Sequence, residues 1–148
     1  MFKSILLAVD DTADVEDTVA LVAAMAKAFG SEVRVYHARQ RVVGASSTTE
    51  KESVHESFEF GYGVAGRLQE QGIKATALVE SARPDRLADH LLAQAAATGA
   101  DLIVIGGHHA HNLREQVLGD LGKVLAHRAL CPVLMMPSAP HGARSGTD

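Results

Sequence analysis

The sequence predicts one α/β domain, an open parallel sheet of five strands with helices on both faces. Three observations predict it. Short apolar runs of strand length alternate with stretches whose apolar residues recur every three or four positions. Leu102 to Ile105 is apolar at every residue, the pattern of a strand buried on both faces of a parallel sheet. That strand ends in Gly106-Gly107 and leads through a His-rich loop to an apolar-periodic helix that Gly119 is expected to open. Such a layout points backbone N–H groups and a helix dipole at an anion, as in a phosphate-binding site.

Each element has its own justification. Ile5 to Val9 is a continuous apolar run, the first strand, and Asp10-Asp11-Thr12 breaks it with residues suited to capping a helix. Val15, Val19, Val22, Met25, Ala26 and Phe29 form one face of the first helix, which Gly30 stops. Val33 to His37 is the second strand, and Arg39 to Thr49, polar and irregular, is expected to be a loop. Glu50 to Gln71 predicts the second helix, with Val54, Phe58, Ala65 and Leu68 on one face. Gly61, Gly63 and Gly66 each cost such a helix about 1 kcal/mol relative to Ala. The helix is therefore either weak or packed closely against a neighbour. Gly72 ends it, and Lys74 to Val79 is the third strand.

Pro84 suits the first turn of the third helix, where its missing N–H would have no partner anyway. Leu87, Leu91 and Ala95 give that helix its core stripe, and Gly99 closes it. After the fourth strand, Leu102 to Ile105, residues Leu118, Leu121, Val124 and Leu125 mark the last helix. Pro132 stops it, and Val133 to Met136 is the fifth strand. Strands separated by helices imply right-handed crossovers. Ligands of such sheets bind beyond the carboxyl ends of the strands, where strand order reverses. Asp10, Ala38 and Gly106 all fall at that rim.

Composition bounds the function. A chain of 148 residues suits one domain with a real core, and 47% apolar with 22% charged residues is the balance of a soluble globular protein. A net charge of −4 and no basic stripe argue against nucleic-acid binding. The single cysteine, Cys131, rules out an intramolecular disulfide and fits a reducing compartment. The first apolar run is too short to span a membrane and no cleavage-site pattern follows it, so a cytoplasmic location without membrane contact is expected. Residues 1–137 are expected to form the domain, with 138–148 a disordered tail.

Other residues have bland and sharp readings. Asp10 and Asp11 are helix caps or, at Asp10, a ligand contact. Gly106 and Gly107 turn the chain off a buried strand or admit a ligand. His108, His109 and His111 suggest a metal, but they lack the i, i+4 spacing of helical zinc sites, and no nearby Cys or acid completes the set. No metal is therefore expected. The loop is solvated, helps to hold an anion, or responds to pH. Arg114 and Lys123 reach a phosphate or are simply solvated. Cys131 reads as a small apolar residue rather than a nucleophile.

Five landmarks then resemble the universal stress protein family. They are Ile-Leu-Leu-Ala-Val-Asp-Asp at the start, Val-Tyr-His-Ala at the second strand, Pro84, Asp-Leu-Ile-Val-Ile-Gly, and the closing Cys-Pro-Val-Leu. The resemblance runs from about Lys3 to Pro137. It implies strand order 3-2-1-4-5 and a homodimer in which the C-terminal strands of two subunits meet. It also implies an ATP or AMP site with the pattern G-x2-G-x9-G-[ST]. On this chain the pattern falls on Gly106, His109, Gly119 and Asp120, so two of four positions match. Asp10 corresponds to the family's ribose-contacting acid, and the backbone near Ala38 and Arg39 to the part that meets adenine. The Gly-His-His after the fourth strand resembles a branch of the family without the full motif.

The departures carry physical consequences. His109 adds a side chain where glycine lets backbone approach phosphate. Asp120 only accepts hydrogen bonds, where Ser or Thr would donate one. A carboxylate beside a triphosphate is repelled by several kcal/mol at an effective dielectric of about 20. The expectation is a stress-response binding protein with a degenerate nucleotide crevice and weak or no ATP binding, acting with a protein partner that the sequence does not name. The alternative is a switch gated by ATP or AMP. No nucleophile elbow, Gly-Lys-Ser/Thr loop or supported pair of catalytic acids is present, so catalysis is not expected, slow ATP hydrolysis aside.

Overall fold

The computed structural model describes residues 1–10, 15–43, 48–50, 53–106 and 115–136, with backbone alone at 40–43, 48–50 and 115–120. Its strands are β1 (Ser4–Ala8), β2 (Glu32–Val43), β3 (Thr48–Glu50), β4 (Ala75–Ala82), β5 (Leu102–Ile105) and β6 (Val133–Met135). Its helices are α1 (Val15–Phe29), α2 (Val54–Glu70), α3 (Leu87–Thr98) and α4 (Glu115–Arg128), and a 3-10 turn, Pro84–Arg86, precedes α3. Five strands pair in parallel in the order β4-β2-β1-β5-β6, which is the expected 3-2-1-4-5.

The alternation of β1 builds two cores. Ile5, Leu7 and Val9 face α1 and α2, where they meet Val19, Val22, Val64 and Leu68. Leu6 and Ala8 face α3 and α4, where they meet Leu87, Leu91, Leu121 and Leu125. At the amino end, Asp101 clamps the start of β1. Its carboxylate accepts the backbone N–H groups of Lys3 (2.9 Å) and Ser4 (3.0 Å).

Three elements differ from expectation. The span from Arg39 to Thr49 is not a loop throughout, because β2 continues to Val43 and pairs antiparallel with β3, Val42 opposite Thr49. β-Branched residues on both arms favour this pairing over a loop. Helix α2 starts at Val54 rather than Glu50 because Ser53 caps it. Ser53 Oγ accepts from the Glu56 N–H (3.0 Å), and the Glu56 carboxylate accepts from the Ser53 N–H (2.9 Å). Helix α4 begins at Glu115, so Gly119 lies within it and does not open it. At the far end of α3, Gly99 takes the left-handed conformation (φ +63°) that stops the helix without strain.

The glycines of α2 resolve into two kinds. A Cβ on Gly61 would lie 2.5 Å from Val79 Cγ2, so this glycine lets the helix close on the sheet. Gly63 and Gly66 face open space. Gly61→Ala should lower stability by about 1–3 kcal/mol through overpacking, despite its better helix propensity. Gly66→Ala should raise it by up to about 1 kcal/mol. Urea melts of both variants check this, and equal effects would contradict close packing at Gly61.

The Asp101 clamp gives a pH prediction. Burial pushes its carboxyl up, but the Ser4 and Lys3 N–H groups outweigh burial and hold it below the usual range. A carboxyl depressed by folding adds stability that is full above the unfolded value, about 3.9, and is lost as pH falls through the lower folded value. Asp101→Asn should therefore melt at a lower temperature than wild type at pH 7, with the gap closing in acid. A gap that is constant down to pH 2.5 would contradict this.

Candidate functional site

The rim follows from where β1 stops. Its last residue, Ala8, sits opposite Tyr36 on one side and Ile105 on the other. From β1 the chain steps to β2 and β4 on one side, then crosses to β5 and β6 on the other. The strand order therefore reverses between β1 and β5, the place where open α/β sheets take their ligands. Gly106 lies buried there and donates its N–H to the Ala8 carbonyl (3.0 Å).

Strand β2 outruns β1. The Val9 N–H donates to the Tyr36 carbonyl (3.0 Å), so even-numbered residues of β2 turn their backbone groups toward β1. Ala38 is the next even residue, and β1 has ended before it is reached. Its N–H and C=O therefore face the rim, while the strand stays anchored to β4 through Gln40 opposite Ala82. That is a backbone edge able to give and accept hydrogen bonds in the plane of a flat heterocycle.

Asp10 is held by His37, a residue that sequence reasoning used only to end a strand and as part of the Val-Tyr-His-Ala landmark. The His37 ring is 2% exposed, and its Nδ1 lies 3.1 Å from Asp10 Oδ1. The same nitrogen is 2.9 Å from the Val9 carbonyl oxygen. The Phe60 ring of α2 meets the imidazole edge-on at 4.7 Å. Asp10 is 21% exposed, so its carboxylate stands at the boundary of protein and solvent.

On the opposite face a second polar group supports the rim. The Tyr36 hydroxyl donates to Glu80 Oε1 (2.8 Å), and His90 Nδ1 lies 2.8 Å from the same oxygen. Glu80 is the register partner of Ala38. Burial, then the Glu80 hydrogen bond and the Glu80 and Asp10 charges, pushes the Tyr36 phenol far above its usual range.

Of the expected site residues, Asp10, Ala38 and Gly106 are brought to one rim. Gly119 and Asp120 lie on the backbone of α4. Asp11, Gly107, His108, His109, His111 and Arg114 lie outside the described residues, as does the expected tail at 138–148. Lys123 is exposed on α4. Cys131 is partly buried, and burial followed by the Asp101 charge pushes its thiol up, away from reactivity. Among the described residues no His, Cys, Asp and Glu group could hold a metal, and no helix is long and apolar enough to cross a membrane. A cavity of about 180 Å³ opens at the other end of the sheet, beside Ser4, Arg34, Lys74 and Thr76, and contains none of the expected site residues.

A rim carboxylate, an open strand edge and a glycine meet at the reversal of a parallel sheet, the place where open α/β folds take their ligands. The chain belongs to the universal stress protein family, whose profile matches residues 1–137. A family protein from Burkholderia pseudomallei is similar at TM-score 0.70 and 18% identity, over 93% of this chain and 97% of its own. The universal stress protein from Archaeoglobus fulgidus in complex with dAMP is similar at TM-score 0.64 and 22% identity, over 90% of this chain and 97% of its own. A universal stress protein in complex with cAMP is similar at TM-score 0.65 and 15% identity, over 91% of this chain and 97% of its own. No curated protein sequence matches the chain.

The Tyr36 phenol should titrate only in the unfolded chain. A group whose folded pKa is raised adds stability that is full below its unfolded value, about 10 for tyrosine, and is lost as pH rises above it. Wild-type stability should therefore fall more steeply than that of Tyr36→Phe between pH 9 and 11 in denaturant melts. Parallel profiles would contradict the burial of the phenol.

Proposed function

We propose that the chain is a non-catalytic, cytoplasmic stress-response binding protein whose rim takes the adenosine part of an adenine nucleotide and disfavours a triphosphate. The observation that carries this reading is the meeting of Asp10, the Ala38 backbone and Gly106 at the switch point. Asp10 supplies an acceptor for ribose hydroxyls, and Ala38 supplies edge-on hydrogen bonds for adenine. Similar proteins holding dAMP and cAMP support the ligand class. Against ATP stand His109 in place of a glycine and Asp120 in place of a hydroxyl.

A homodimer through the C-terminal strand completes the reading. Among the described residues β6 pairs only with β5, and Met135 on it is 52% exposed. Two such edges joined across a two-fold axis would cover both.

Calorimetry with AMP, cAMP and ATP tests the proposal. AMP should bind at least about tenfold more tightly than ATP, a difference of about 1.4 kcal/mol. Asp120→Ser should raise ATP affinity by about tenfold or more and leave AMP little changed. Unaltered ATP affinity in that variant would refute the electrostatic argument. Tight ATP binding by the natural chain would favour the nucleotide-gated switch instead.

A further inference from the structure

We infer that His37 is a positioning residue that fixes the Asp10 carboxylate for ribose hydroxyls, so that the crevice selects ribonucleotides over deoxyribonucleotides. The inference rests on the adenosine-binding reading of the rim and adds to it the residue that sets sugar selectivity.

The geometry fixes the proton. A backbone carbonyl and an ionised carboxylate are both acceptors, and both lie within 3.1 Å of His37 Nδ1. Nδ1 must therefore carry hydrogen whether the ring is neutral or charged. The ring has no room to choose otherwise. It is 2% exposed and braced by Phe60, and the missing Cβ of Gly61 lets α2 approach to where that Cβ would be 3.7 Å from His37 Cβ. Turning the ring over would place a C–H against the carbonyl and the carboxylate, leaving both acceptors without this donor.

The consequence reaches the ligand through Asp10. A carboxylate at the end of a strand otherwise rotates about two side-chain bonds. With Oδ1 bound to a buried donor, the orientation of the group is set before a ligand arrives, and the entropy of ordering it is already spent. A pre-oriented acceptor rewards each hydroxyl it meets, so a sugar without the 2′ hydroxyl forfeits that part of the gain. Asp10 without the His37 donor would still attract or repel through its charge, but it would distinguish the two sugars less well.

Calorimetry with AMP and 2′-deoxy-AMP tests this. The natural chain should prefer AMP by about tenfold or more. His37→Phe keeps a ring under Phe60 but removes the donor, so the preference should collapse toward one while 2′-deoxy-AMP binding stays nearly constant. His37→Asn places an amide N–H near the Nδ1 position and should restore the preference. An undiminished preference in His37→Phe would overturn the inference, and so would equal losses for both nucleotides, which a merely structural role produces. Binding of neither nucleotide to the natural chain would overturn the reading of the crevice and this inference with it. Nitrogen NMR of the unliganded natural chain tests the contact separately and needs no variant to fold. It should find His37 protonated at Nδ1, and a ring protonated only at Nε2 would overturn the inference whatever the nucleotides do.

Discussion

The rest of the structure depends on β1 being hydrogen-bonded on both sides and ending before its neighbour β2 does. All five of its residues pair with β2 and four of them, Ile5 to Ala8, also pair with β5, and its side chains feed two separate cores. A strand so placed cannot slip by one residue, because Ile5 and Leu7 would exchange faces with Leu6 and Ala8. The fixed register decides where Asp10 emerges and which backbone groups of β2 are left beyond the end of β1. The rim is thus a by-product of unequal strand lengths rather than a separate construction.

Packing on one face transmits that constraint to the carboxylate. Gly61 lets α2 close on β4 and β2, Phe60 then lies on His37, and His37 lies on Asp10. A buried imidazole would be costly without partners. Here its Nδ1 meets the Val9 carbonyl and the Asp10 carboxylate, so a core position and a rim position share one contact. The other face uses a different device. Tyr36 and His90 converge on Glu80 beside Ala38, which holds β4 and α3 to the strand whose edge faces the rim. One rim is therefore braced from both layers of helices.

The sheet was legible in the sequence because its central strands are apolar on nearly every residue. Runs such as Leu102 to Ile105 leave little choice of structure. Boundaries were less legible where polar residues carry the structure. Arg39 to Thr49 read as loop, yet Val42 and Val43 pair antiparallel with Thr49 and Thr48, all four β-branched. Ser53-Val54-His55-Glu56 is a capping box that places the start of α2, and its spacing was there to be found. At the rim, Asp10 and Gly106 followed from strand ends; Ala38 was expected just past the end of its strand but lies inside β2, and it reaches the rim because β1 stops before it. His37 did not, because its role requires the knowledge that its odd-numbered position faces α2 and lies beside Asp10. The close packing at Gly61 was one of two readings, and only the position of Val79 separates them.

The central claim is that adenosine sits at the carboxyl end of β1 and not elsewhere on the sheet. Backbone amide NMR of the unaltered chain titrated with AMP tests it most directly. The largest shifts should fall on Val9, Asp10, Ala38 and Gly106, where β1 and β5 end and β2 runs past them. Shifts gathered instead on Arg34, Lys74 and Thr76, around the cavity at the opposite end of the sheet, would contradict it.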